Sequence, residues 1–177
     1  MEIMSVQQIE ETDEMIILTF TIKDQVFGVD IFDIINVTRV KTKTLYMIPK
    51  ASKEVLGMYN NTDEVFPVFD LHLLLGHFGF NFEKLNQEWI SVIKIQVKGF
   101  TSGLGIQDEP NFITIGKKSV KPSKKKGIKS KWKSDDQEIF ILDLEGLFPN
   151  VKQTQQAQDS DIKNEDDLDL SQYLLEE

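Results

Sequence analysis

FTIKDQVFGVDIFDIINV, residues Phe20 to Val37, is the stretch from which the fold of this chain is read. It continues an apolar run that starts at Met15 (MIILTFTI, ending at Ile22), passes through Lys23-Asp24, and resumes as QVFGV from Gln25 to Val29. Two apolar runs of strand length around a two-residue link predict a β-hairpin, although Lys-Asp lacks the favoured Asn-Gly chemistry. Asp30 can cap a short helix through Ile35, because its carboxylate accepts the orphan backbone donors of a first turn. Ile31, Ile34 and Ile35 would then share a helical face.

Working outward, the apolar residues keep to short blocks separated by Gly, Asp, Asn and Pro, without a long helical period. Val37 to Lys41 and Val65 to Phe69 read as strands, and Ser52 with Val55 and Leu56 predicts one helical turn ended by Gly57. Pro67 cannot donate to a ladder and so belongs at an edge or a bulge. Trp89 to Val97 (WISVIKIQV) is apolar on both alternations, the pattern of a strand buried on two faces. Gly99 turns the chain into Phe100 to Ile106, and Ile139 to Leu144 (IFILDL) supplies the last strand before Leu147-Phe148. A mainly β fold follows, with strands closed or nearly closed into barrels so that few edges stay exposed.

Charge is segregated along the 177 residues, whose formal net charge is -9. Gly116 to Lys133 (GKKSVKPSKKKGIKSKWK) carries nine lysines and no acid, whereas residues 151 to 177 carry eight acids and two lysines. The basic stretch is expected to be a long loop 116–133, and the acidic stretch a disordered tail over 149–177, with residues 1–14 a flexible N-terminus and the domain spanning 15–148. The net acidity argues against uniform nucleic-acid binding. Cysteine is absent, which removes disulfides, thiolate ligands and a cysteine nucleophile. No apolar run approaches the length of a membrane span, so a cytoplasmic protein is expected.

Several segments together resemble the CheW-like chemotaxis coupling family. Phe20 to Val37 is similar to the opening of that domain, and Pro49 to Leu71 (PKASKEVLGMYNNTDEVFPVFDL) to its proline-containing loop, Gly, Asn and apolar-Pro-apolar-apolar-Asp-Leu strand, with Gly57, Asn60, Pro67, Asp70 and Leu71 in place. SGLGIQDEPNFITI and IFILDLEGLF resemble its Gly-apolar strand and its terminal signature. The likeness covers Met15 to Phe148. It implies two packed five-stranded SH3-like β-barrels with short helices, in a non-enzymatic adaptor without cofactors or metals. The partners it implies are the regulatory domain of a CheA-type histidine kinase and the cytoplasmic hairpin tip of a chemoreceptor, with membrane association only indirect, through receptor arrays. Partner-binding positions carried over by the resemblance are Ile34, Asn36, Val37, Gly57, Asn60, Thr62 and Asp63.

Three departures fall among or beside those positions. Where the family usually has Asn-Leu-Arg-Gly, this chain reads Asn60-Asn61-Thr62-Asp63, which removes a planar donor fork and adds a negative charge where a flexible glycine is usual. Asn36 replaces a common Glu, and Gln107 a common Asp. Altered pairing with compensating partners and a degenerate, non-coupling relative both fit these residues.

Other features have plain readings beside functional ones. Ile34, Val37, Val65, Phe66 and Phe69 suit an ordinary core. His72 and His77 in HLLLGH lack the spacing and third ligand of a metal site. Asp63-Glu64 and Asp135-Asp136 are neighbours that a strand would point to opposite faces, unsuited to shared acid–base work. Trp132 among lysines could stack a base, or the lysines could meet anionic lipid, but a solubilising loop is the default. The acidic tail could fold back on that loop, and the stripe Leu168, Leu170, Tyr173, Leu174 and Leu175 could form a partner-induced helix. No phosphate loop, nucleophile elbow or zinc signature marks an enzyme.

Overall fold

The computed structural model describes residues 12 to 148. The expectations for the acidic tail, its fold-back and its apolar stripe lie outside the described residues, as does most of the N-terminal segment. Strands β1 (Glu14–Ile22) and β2 (Gln25–Asp30) form the expected hairpin, in register from Ile17 opposite Asp30 to Ile22 opposite Gln25. Lys23 supplies the left-handed backbone of the turn, with φ of 53°, in the place usually taken by Asn or Gly.

Asp30 does cap the next turn, its carboxylate accepting from the Phe32 amide at 3.1 Å, but the turn is a 3-10 segment confined to Ile31–Asp33. Ile34 and Ile35 do not share a helical face with Ile31; they open β3 (Ile34–Lys41). A run with Ile, Ile, Val and Thr is stiff at χ1 and packs better on a pleated surface, so the helix stops early.

Strands β4 (Val55–Asn60), β5 (Val65–Asp70), β6 (Trp89–Val97) and β7 (Phe100–Ile106) complete a five-stranded sheet with β3, in the order β3-β6-β7-β5-β4. The helical turn expected before Gly57 is therefore β4 instead. Gly57 has φ of 151°, and a Cβ there would lie 2.8 Å from the Tyr46 carbonyl oxygen. The glycine marks a bulge, where the β4–β5 register shifts between Val55 and Gly57 and Tyr46 bridges Met58. Pro67 sits in an interior strand opposite Met58, but the parallel β5–β7 ladder starts only at Val68 opposite Gly103. On that side Pro67 is outside the ladder, which reconciles its missing donor with its place.

Asp70 ends β5 and caps helix α1 (Leu71–Gly76). Fully buried, it accepts from the amides of His72 at 2.9 Å and Leu73 at 3.3 Å through Oδ1, and from Leu85 at 2.9 Å through Oδ2. One carboxylate thereby starts the helix and pins the segment that follows it. β6 is buried on both faces from Ile90 to Ile93, as its sequence predicts, and Lys98 and Gly99 turn it into β7 with φ of 51° and 84°.

The lysine-rich stretch is not a loop. After β8 (Asn111–Gly116), it forms a 3-10 turn, then β9 (Val120–Pro122) and β10 (Ile128–Lys133). In β10, Ile128, Ser130 and Trp132 alternate with Lys129, Lys131 and Lys133, a period of two that the lysine count obscures. Trp132 is half-buried and packs against the cluster of Ile17, Ile115, Ile139 and Ile141, so it has a structural role in the sheet. β11 (Glu138–Leu142) stops before Leu144, which opens the short helix α2 (Leu144–Leu147), with the Asp143 carboxylate accepting from Gly146 at 3.2 Å.

The second sheet thus has six strands where the resemblance implied five, in the order β8-β1-β2-β11-β10-β9. Mainly β, with two barrel-like halves, the architecture otherwise matches the expectation. The five-stranded sheet encloses Val40, Leu45, Leu56, Phe66, Val68, Leu85, Ile90 and Val92. On the six-stranded sheet Phe27 meets Phe80, Phe82 and Phe140 at centroid distances of 5.2, 5.9 and 5.8 Å. Phe80 and Phe82 arrive from the segment after α1, so that segment joins the halves.

Candidate functional site

The β4–β5 hairpin carries four of the positions singled out in the sequence. Gly57 and Asn60 lie on β4, and Thr62 and Asp63 form the exposed tip of the turn. Asn61 builds that turn: its Oδ1 accepts from the amides of Asp63 and Glu64, each at 3.0 Å, and its own amide donates to the Glu64 carbonyl at 3.1 Å. An Asn is suited to this because its side-chain oxygen replaces a backbone acceptor in the turn. The tip therefore holds its shape without help from the side chains of Thr62 and Asp63, which face solvent. Asp63 and Glu64 lie in the turn and not on a strand as expected; Asp63 is exposed, while Glu64 pairs with Lys94.

Ile34, Asn36 and Val37 lie on β3, at the other end of the sheet order. Ile34 and Val37 are half-buried, while Asn36 is exposed and stands opposite Lys94 of β6. Lys94 links the two groups. Its ammonium pairs with the Glu64 carboxylate and stands 5.4 Å from the centroid of Phe66. Its side chain is only 13% exposed, so this pair is better shielded than a surface contact. Gly103 permits the crossing, since a Cβ there would lie 2.6 Å from Val92 and 3.0 Å from the Phe66 ring. Sequence reading missed Glu64 and Lys94; the apolar run around Lys94 disguised it as one polar residue in a buried strand.

Gln107 follows β7, and its carbonyl accepts from Arg39 of β3 at 3.4 Å. Arg39 also donates to the Ser91 hydroxyl at 3.3 Å and approaches Glu109 at 4.0 Å. Apolar residues stand exposed near these positions: Phe32 (92%) and Ile35 (49%) flank Ile34, and Tyr46 (63%), followed by Met47 (79%), bridges Met58 beside Gly57. Exposed aromatic and apolar side chains beside ordered polar groups are the composition of an anchor for another protein.

A cavity of about 530 Å³ opens between strands of both sheets. Asp33, Gln96, Lys98, Lys129 and Glu145 line it. Burial pushes the Asp33 carboxyl up, and the charges of Asp30 and Glu145 add to this against the opposing charge of Lys129.

A family model described as the CheW-like domain matches residues 17–152, most of the chain and both sheets. The chain belongs to the CheW-like domain family. Its fold is also that of a solved relative, the scaffolding protein TtCheW from Thermoanaerobacter tengcongensis, with a TM-score of 0.64 at 24% identity over 76% of this chain and 92% of that one. No curated protein matches. Within the CheW-like domain the departures at Thr62 and Asp63 fall at the hairpin tip, Asn36 falls beside the Lys94 link, and Gln107 beside Arg39. The histidines have structural partners: His77 Nε2 lies 2.8 Å from Glu54 Oε1, and His72 Nδ1 lies 3.1 Å from the Glu83 carbonyl. Among the described residues no three His, Asp or Glu side chains gather as metal ligands, and no helix is long and apolar enough to cross a membrane.

Proposed function

We propose that this CheW-like protein is a non-enzymatic adaptor that joins chemoreceptors to a CheA-type histidine kinase, recruited from the cytoplasm to receptor arrays. Family membership over residues 17–152 is the observation that carries this reading. In it the domain is the described β body, bounded near Phe148, and Ile34, Asn36, Val37, Gly57, Asn60, Thr62 and Asp63 contribute to partner contact. The exposed apolar residues supply area on which the helical tip of a receptor can dock. Two modest contacts reinforce each other once both partners are held on one scaffold.

A second reading is a retargeted relative, favoured by Thr62 and Asp63 at the exposed tip in place of Arg and Gly. A charge of reversed sign at a contact meets like charge on the usual partner, which it rejects, and selects a compensated one. Calorimetric titration of the full chain with the kinase regulatory domain of its own organism, beside a Thr62→Arg/Asp63→Gly variant, separates the two. Micromolar binding by the natural protein supports the adaptor; binding only by the variant supports retargeting, and binding by neither removes the kinase from the proposal.

A further inference from the structure

Residues paired across the six-stranded sheet fall into one row. Lys121 of β9 faces Lys131 of β10, Lys131 faces Phe140 of β11, Phe140 faces Phe27 of β2, and Phe27 faces Phe20 of β1. Directly opposed residues share a face, so an aromatic row ends in two lysines set side by side, an arrangement that repels in the absence of an anion. The rings hold the ammoniums in position. Lys131 stands 4.9 Å from the centroid of Phe140, and Lys125 stands 3.7 Å from that of Phe80.

These lysines border an open groove of about 900 Å³, lined by Lys121, Lys124, Lys125, Lys131 and Lys133. Ser123 and two further serines add hydroxyl donors, and Asp135 and Glu138 also line it. Glu138 stands opposite Lys133 in the ladder and offsets that one cation. The lysine excess gathers in a chain that is acidic as a whole.

We infer that this groove binds clustered phosphate groups, as in a free polyphosphate chain or a phosphate-bearing lipid headgroup. Ammonium groups act as point charges on phosphate without selecting a planar partner. Recognition is of the phosphates and not of a base: the faces of Phe80 and Phe140 already carry lysines, and Trp132 packs against the isoleucine cluster and does not line the groove. This inference is independent of the adaptor reading, since none of its residues belongs to the hairpin or to β3.

Sodium tripolyphosphate titrated into the full chain tests it. Saturable binding is expected, weakening steeply with added salt and raising the thermal midpoint. Lys121→Gln/Lys131→Gln should weaken it by roughly tenfold, by loss of two of the phosphate-facing charges. Lys43→Gln/Lys53→Gln, which removes the same charge from exposed positions in the other half, should leave it unchanged. The groove variant stays folded on this view, because Lys121→Gln relieves a like-charge pair, and its midpoint without anion is the check. Equal loss in both variants, or loss in neither, would overturn the site in favour of diffuse attraction. Vesicles of phosphatidylcholine and phosphatidylglycerol identify the source: capture that tripolyphosphate displaces assigns the groove to headgroups, and tripolyphosphate binding without capture assigns it to free anions. Capture of vesicles or of single-stranded RNA with no tripolyphosphate binding would sink the inference.

Discussion

Replacing Asp70 by alanine removes an acceptor from three backbone amides at once, those of His72, Leu73 and Leu85. Loss of a helix cap together with a buried unsatisfied amide is expected to cost about 3 kcal/mol, read as a lower denaturant midpoint with an unchanged slope. Glu54 makes a pH prediction. Burial opposes its ionisation, yet hydrogen bonds from its own backbone amide, His77 and Ser52, with the charge of His77, outweigh burial and hold the carboxyl below its ordinary value of 4.5. A carboxyl depressed in the folded state adds stability above its unfolded value and loses it as pH falls through the folded one. His77→Ala should therefore lessen stability at neutral pH and flatten its decline below about pH 4.5, where the natural protein is losing the Glu54 contribution; parallel declines in both proteins by urea titration would refute this.

At the scale of the element, the hairpin tip owes its form to Asn61, so Asn61→Ala should destabilise by about 1 kcal/mol and loosen the turn, visible as faster amide exchange at Asp63 and Glu64. Thr62→Arg/Asp63→Gly should change stability by less than about 0.5 kcal/mol, since both side chains face solvent, so any change in partner binding by that variant is a change of contact. The β1–β2 hairpin and β6 were legible because their apolar runs have strand length. β9 and β10 were not, because nine lysines suggested a solvated loop while the decisive alternation of Ile128, Ser130 and Trp132 lay beneath the charge. The short helix at Gly57 was misread for another reason: glycine serves a helix end and a bulge equally well, and only the approach of Tyr46 distinguishes them. In the candidate site the hairpin residues could be found by resemblance, but the Lys94–Glu64 link joins residues 30 apart in sequence and needs the fold to bring them together.

For the whole molecule, Trp89 and Trp132 provide one reporter in each sheet. Residues 12 to 147 belong to one compact unit, so the two sheets should unfold together. Trp89→Phe and Trp132→Phe proteins, each followed by the remaining tryptophan, should each give coincident fluorescence and circular dichroism midpoints; a fluorescence transition preceding the loss of ellipticity would mean separately stable halves. Folding should also be slow, because β2 and β11 pair in parallel, Val26 opposite Ile139, across more than half the chain.

That pairing has a further consequence for how such a protein can change. β1 and β2 leave the six-stranded sheet, the chain makes the whole five-stranded sheet in one passage from Ile34 to Ile106, and it then returns to finish the first. In genetic terms the passage is a cassette. Exchanged between relatives, it would transplant β3, the hairpin tip and the Lys94 link together and leave the lysine groove's strands with the recipient. The graft has seams to respect: the rings of Phe80 and Phe82, which travel with the cassette, must fit the host's Phe27 and Phe140, and Arg39 must meet the host's Gln107 and Glu109.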